Sequence, residues 1–244
     1  MRHNWYTNNY MQLTTTSAIR YGLPIGTRRI KKRFTVSSNT YEIDLPGVTA
    51  LDPEELVATL SVTAETATAP TVDFSLEEAN DPIASYTRIN QTAGLSTSGT
   101  TLVVDDASSI PNAVMPILLA QFTKVGNTYR LTKYEWAISS SKSSNTLTIA
   151  REFYMDGAAF SNDDFVFFSN DWSTMKDSDG NDIANTSVAV NGATTSSPIK
   201  SRLALSNEGL TGFSKGFVRA KVSAPSAGTL SYNVSLACRT RGLE

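Results

Sequence analysis

Four acids, Glu152, Asp156, Asp163 and Asp164, lie close together in the sequence. Two carboxylates suffice for glycoside hydrolysis, one as proton donor and the other as nucleophile or base. Asp156-Gly157 and Asn162-Asp163-Asp164, however, read as turns, where acids bond the local backbone, and turn chemistry is the preferred reading. A serine or cysteine nucleophile needs a base, and the chain holds one histidine, His3, and one cysteine, Cys238. The same scarcity disfavours His-built metal sites and forbids an internal disulfide. The run Asp177-Ser178-Asp179-Gly180-Asn181-Asp182 has the flavour of a calcium loop, yet its twelfth position is Val188, which offers no bidentate carboxylate. It reads as a solvated Asx-rich turn, with a cation loop built on carbonyl oxygens left open. There is no phosphate loop and no dinucleotide fingerprint. No catalytic residue, cofactor or metal ligand is therefore assigned.

Binding chemistry is better represented. Arg28, Arg29, Lys31, Lys32 and Arg33 place five of the 21 basic residues in a single run. Such a run can hold phosphates, but it leads into Phe34-Thr35-Val36 and Tyr41-Glu42-Ile43-Asp44-Leu45, where apolar residues alternate as on a half-buried strand. A charged edge strand, or a surface for an acidic protein, is preferred over nucleic acid, and the net charge of −2 agrees. Trp5, Tyr6 and Tyr10 stand among Asn and Thr without a sustained period. They suit either a loosely packed terminus or an arm ordered against a neighbouring subunit. With the basic run they are the candidate partner-binding residues. Nine of the 22 aromatic residues fall between Tyr134 and Trp172. Trp136, Phe165 and Phe167 are expected in the core, and Tyr154 and Phe168 are the candidate ligand-facing rings.

The elements that must position these residues are strands. Thr and Ser occupy 59 of 244 positions and charged residues only 18%, against roughly 25% in typical soluble domains. That balance suits strands with hydroxyls outward and aliphatics inward. Short β-branched or aromatic runs recur at 56–63, 71–77, 84–89, 101–104, 116–122, 134–138, 146–150, 165–168, 187–190 and 201–205, separated by turn residues. Residues 56–63 and 71–77 read as consecutive antiparallel strands, and 217–222 with 230–237 as a long hairpin around Pro225-Ser226-Ala227-Gly228.

The expected division is an arm at 1–33, a first sandwich part at 34–94, an inserted β module at 95–170 and a completing sandwich part at 171–244. Residues 171–244 offer too few strands to close a core alone, so they are expected to pair with 34–90. The fold class is all-β: a β-sandwich, jelly-roll or Ig-like, with an inserted small β-barrel-like module. The N-terminus lacks the roughly 7–15-residue apolar region of a secretory signal, and no window reaches the ~20 apolar residues of a membrane span. Synthesis in a cytoplasm and no membrane partner are the expectations.

The block Thr100-Thr101-Leu102-Val103-Val104-Asp105-Asp106-Ala107-Ser108-Ser109-Ile110-Pro111 resembles a module found in tailed-bacteriophage virion proteins. Glu135-Trp136, Asn145-Thr146-Leu147-Thr148-Ile149-Ala150-Arg151 and Asp156-Gly157-Ala158-Ala159-Phe160 continue the likeness. Arg151 matches the module's arginine, whereas Glu152 and Phe153 stand where glycines are usual. Residues 216–222 and 228–234 look like the closing hairpin of phage β-sandwich virion proteins. The resemblance implies a non-enzymatic virion component: a decoration or cement protein on the capsid exterior, or a neck or tail accessory that anchors fibres. It further implies partners among major capsid or neck and tail proteins, and homo-oligomerisation. A carbohydrate- or receptor-binding module using rings of the central region is the alternative.

Overall fold

The computed structural model describes residues 3–14, 20–21, 25–26, 29–45, 53–151, 158–206 and 216–241. Its strands, in chain order, are β1 (His3–Thr14), β2 (Arg20–Tyr21), β3 (Ile25–Gly26), β4 (Ile30–Val36), β5 (Asn39–Leu45), β6 (Pro53–Glu65), β7 (Thr71–Ala79), β8 (Ser85–Arg88), β9 (Thr101–Val103), β10 (Met115–Val125), β11 (Thr128–Ser143), β12 (Thr146–Ala150), β13 (Phe165–Phe168), β14 (Ser173–Thr174), β15 (Ala184–Ala189), β16 (Ile199–Ser206), β17 (Phe217–Val222) and β18 (Leu230–Arg241). The protein is all-β, and no helix occurs among the described residues. The chain divides into two compact units, one of Met1–Arg28, Gly47–Asn80 and Trp172–Glu244, the other of Arg29–Pro46 and Asp81–Asp171.

In the first unit one sheet has the order β1-β18-β6-β16 and another the order β14-β7-β17-β2, with β15 also on β7 and β3 also on β17. Alternation explains the strands. Leu56, Ala58, Leu60 and Val62 of β6 are buried between half-exposed Val57, Thr59, Ser61 and Thr63. One apolar cluster takes these residues together with Val72, Phe74 and Leu76 of β7, Val218, Ala220 and Val222 of β17, and Tyr232, Val234 and Leu236 of β18. Residues 3–14, expected within an arm, form an edge strand paired antiparallel with β18.

Two further expectations are corrected. β6 and β7 are successive but unpaired; β6 bonds β18 and β16, while β7 bonds β17, β14 and β15. The expected hairpin at 217–237 is likewise absent, because β17 lies in one sheet and β18 in the other. Both connections carry the chain from sheet to sheet, and both contain a residue with positive φ, Ala69 at 53° and Gly228 at 63°. Alternation specifies which side chains go inward, and a hairpin and a sheet-to-sheet crossing satisfy it equally.

The crossings lie side by side and bond reciprocally. Thr71 N–H donates to Ser226 Oγ and Ser226 N–H to Thr71 O, both at 2.9 Å. Asp73 N–H donates to Ser223 Oγ at 2.7 Å, and Ser223 N–H to Asp73 O at 2.9 Å. Thr229 N–H donates to Thr66 Oγ1 at 2.9 Å.

The second unit is built on β4-β5-β11-β10-β13-β8, with β12 joining β11 to β9. The long β11 serves two partners on one edge, β5 at its start and β12 at its end. The Ile89–Val104 bridge and the bonds Asn90 N–H to Val103 O and Asp105 N–H to Arg88 O tie β8 to β9. Pairing therefore runs through β8, β9, β12, β11, β10 and β13 and back to β8. One face of this circuit carries Leu102, Ile117, Leu119, Ala137, Leu147, Ile149, Val166 and Phe168, all buried.

On the other face Leu118, Ala120, Phe165 and Phe167 join Tyr41, Ile43 and Leu45 of β5 and Phe34 of β4. Phe34 stacks on Tyr41 at 5.3 Å, and Tyr41 on Tyr129 at 4.8 Å. Residues 34–45 and 85–88, expected in the sandwich, thus belong to the central unit. Their rings and aliphatics bury against β10 and β13, which the pattern within each strand could not indicate.

The crossing geometry yields a comparison. A Cβ at Gly228 would lie 2.6 Å from Ala67 Cβ and 2.9 Å from Thr66 Oγ1, whereas one at Gly192, with φ 79°, meets nothing within 4 Å. Gly192→Ala should cost about 1 kcal/mol from backbone strain alone. Gly228→Ala should cost about 2–3 kcal/mol, the excess coming from forcing the crossings apart. Denaturant unfolding of the two variants measures the difference.

Candidate functional site

The central unit buries a salt bridge between Arg151 and Glu135. β11 turns Glu135 to the same face as Ala137, and Arg151 follows the last residue of β12. Arg151 Nε donates to Glu135 Oε1 at 2.9 Å, and its Nη atoms donate to Glu135 Oε2 and to the carbonyls of Ser96 and Ala158. Ala158 N–H returns a bond to Glu135 Oε2 at 2.9 Å. The two side chains are only 4% and 7% exposed. A buried guanidinium is tolerable when its donors are satisfied, and here it pins two separated backbone segments to the β11–β12 pair. Beside it, Leu95 and Phe160 exchange backbone bonds of 2.7 and 2.9 Å, and Lys133 Nζ lies 5.2 Å from the Phe160 ring.

Of the four candidate acids, Glu152 and Asp156 lie outside the described residues. Asp163 sits in a turn with φ 67°. Asp164 Oδ2 accepts from Ser161 N–H at 2.7 Å and Gln121 Nε2 at 2.9 Å. Burial pushes the Asp164 carboxyl above the usual value, against the opposing pull of those hydrogen bonds. These two acids shape the turn before β13, as turn chemistry predicts.

The basic run is divided by the alternation of β4. Lys31 and Arg33 are exposed, and Lys32 turns inward. Lys32 Nζ donates to Asp81 Oδ2 and Ile83 O, both at 2.7 Å. Arg29 bonds Asp44 on β5, and Arg33 lies 3.7 Å from Glu42. β4 ends its sheet path, so these cations line an edge. Arg28 lies outside the described residues, as do the side chains of Trp5, Tyr6 and Tyr10, whose backbone is in β1.

Among the candidate ligand-facing rings, Tyr154 lies outside the described residues and Phe168 is a correction. It is 2% exposed, because β13 runs between β10 and β8 and is covered on both faces. Trp136 is partly buried, and Phe165 and Phe167 are core. The exposed rings of this unit are Tyr86 and Tyr134 among the described residues. Tyr134 shares a strand face with Trp136, so alternation alone points it inward; its exposure is decided by what lies over β11 at that point.

The Asp177 loop closes on itself. Asp177 Oδ1 accepts from Asn181 N–H at 2.8 Å and Asp179 N–H at 2.9 Å, and Lys176 Nζ donates to Asp182 Oδ1 at 2.8 Å. The Asn181 backbone amide, then its side chain, holds the Asp177 carboxyl below the usual range. Among the described residues, no group of three or more His, Cys, Asp or Glu side chains could hold a metal ion.

A second buried pair escaped the sequence reading. Arg219 on β17 donates from Nε and Nη2 to Glu77 Oε2 at 3.0 and 2.8 Å, and Lys221 Nζ lies 3.1 Å from Glu77 Oε1. The guanidinium is flanked by the Tyr21 ring at 3.8 Å and the Trp172 ring at 4.1 Å. A planar guanidinium can stack between two rings while two of its N–H groups reach one carboxylate oxygen, which lysine does not reproduce. These residues are far apart in the chain, so no local spacing could flag them. The chain matches no family model, no curated protein and no solved structure.

Two outcomes follow from the charges. Glu135→Leu should cost about 3–5 kcal/mol by leaving Arg151 buried without its carboxylate. Adding Arg151→Met should recover part of that loss in chemical denaturation, although the carbonyls of Ser96 and Ala158 then lose their donor. In a carboxyl-carbon NMR titration, Asp177 should titrate below and Asp164 above ordinary aspartate. With its folded pKa depressed, Asp177 contributes stability that is present above the ordinary value and lost as pH falls through the folded one. Asp164 has the opposite sign: its contribution is most favourable below the ordinary value and declines as pH rises through its raised pKa.

Proposed function

We propose that the chain is a non-enzymatic structural component of a tailed-phage virion, made in the host cytoplasm and carried in the particle. It binds the capsid exterior as a decoration or cement protein, or sits at the neck or tail as an accessory that anchors fibres. In this reading the first unit is a β-sandwich and the central unit an inserted β-barrel-like module. The observation that carries it is the Arg151–Glu135 knot: the arginine that matches the virion module is used to tie backbone segments together inside the unit. Lys32, Lys142 and Asp164 are used in the same way, each bonded to backbone within its own unit. Side chains spent on rigidity suit a protein whose work is adhesion through large complementary surfaces. Its partners are other virion proteins and further copies of itself, as virion symmetry favours.

The exposed rings Tyr86 and Tyr134 support a second reading, a glycan- or receptor-binding module. Mass spectrometry of purified particles and light scattering of the isolated chain test the first reading. An oligomer present in particles is expected; a monomer absent from particles overturns it. A glycan array with Tyr86→Ala and Tyr134→Ala controls tests the second, and ring-dependent glycan binding by a chain absent from particles would replace the first.

A further inference from the structure

Sheet edges invite pairing with other chains, and proteins blunt them with charge, brevity or cover. Nearly every edge described here is blunted. β4 carries exposed Lys31 and Arg33. β8 is closed onto β9 through the Ile89–Val104 bridge. β14, β2 and β3 are two residues long. β16 bears exposed Lys200 and Arg202, and its edge is occupied by Asn185, whose Nδ2 donates to Ser201 Oγ at 2.8 Å and Arg202 O at 3.1 Å. β15 is uncharged but only six residues long and lies against β16 through Asn185, which leaves β1 as the longest uncharged edge among the described strands. β1 spans 12 residues, ends its sheet with β18 as its one partner among the described residues, and from Asn4 to Thr14 holds no Lys, Arg, Asp, Glu or Pro.

We propose that the outer edge of β1 is a docking strand for β1 of a second copy, paired antiparallel about a two-fold axis to join two four-stranded sheets into one. The pairing closes because the opposite edge, β16, is already bonded. A β1-on-β16 contact would propagate head to tail, whereas β1 on β1 consumes the outer edge of each copy's β1 and stops. Antiparallel alignment also sets the two His3 residues at opposite ends of the ribbon, and Trp5, Tyr6 and Tyr10 supply residue types that strengthen cross-strand pairs. This deepens the proposed function by naming the contact between copies, and it is tested in solution, apart from any particle.

The experiment is size-exclusion with light scattering on the full chain, alongside hydrogen exchange at low and high protein concentration. A dimer is expected, with the amides of residues 3–14 gaining protection as concentration rises and those of β4 and β16 unchanged. Thr7→Lys combined with Asn9→Lys, at positions in register with Ala237 and Ser235, should weaken self-association about tenfold or more while leaving the β-type circular dichroism spectrum in place. A monomer at every concentration overturns the proposal. So does a dimer whose concentration-dependent protection lies outside β1. Protection of β1 that arises only on adding other virion proteins also overturns it, and assigns the edge to them. If the double variant fails to fold, the exchange profile of the unaltered chain decides.

Discussion

The first unit depends on two crossings, residues 66–70 and 223–229, where the chain leaves one sheet and enters another. Each crossing lacks a strand ladder for its backbone donors and acceptors, and these half-exposed to exposed groups find their partners on the neighbouring crossing. Laid side by side they bond through the hydroxyls of Thr66, Ser223 and Ser226 and the main-chain groups of Thr71, Asp73, Ser223, Ser226 and Thr229. Once they are in register, β6 must lie on β18 and β7 on β17, and both pairs present aliphatic residues to a shared cluster. The abundance of Ser and Thr therefore has a structural use beyond strand propensity. A short hydroxyl side chain both accepts and donates within reach of its neighbour's backbone.

The central unit solves a different problem. Its pairing circuit leaves few open edges, but β10 and β13 are buried on both faces and need apolar cover on each. The β4–β5 hairpin supplies the second cover with Phe34, Tyr41, Ile43 and Leu45. Where the circuit ends, long polar side chains close it. Lys142 donates to the carbonyls of Ala107 and Ile110, and Arg151 to those of Ser96 and Ala158. A chain with 18% charged residues places several of them inside, among them Arg151 and Glu135, bonded to each other and to backbone, and Arg219, bonded to Glu77. The same economy shapes the surface, where the Asp177 loop turns its carboxylate on its own amides.

The local pattern was legible wherever a property belongs to one strand. The period-two alternation of 56–63, 71–77, 217–222 and 230–237 located β6, β7, β17 and β18, in which Leu60, Phe74 and Val234 are buried. The turn character of Asn162-Asp163-Asp164 and of Asp177–Asp182 was equally readable, because Asx side chains bond within a few residues of themselves. Phe168 was misplaced for an instructive reason. Alternation within Phe165–Phe168 assumes one covered face, and β13 has two.

By itself the sequence determined the all-β class, the positions of β6, β7, β10, β12, β13, β17 and β18 and the turn roles of the described acids, since these follow from residue type and spacing over a few positions. Tertiary structure alone decided which strands pair, that the chain crosses between sheets instead of folding back, that residues 29–46 join the central unit, and that Arg151 with Glu135 and Arg219 with Glu77 are buried. Those outcomes depend on groups as far apart in the chain as His3 and Arg241. A pattern with a period of two names the side of a strand but carries no information about its partner.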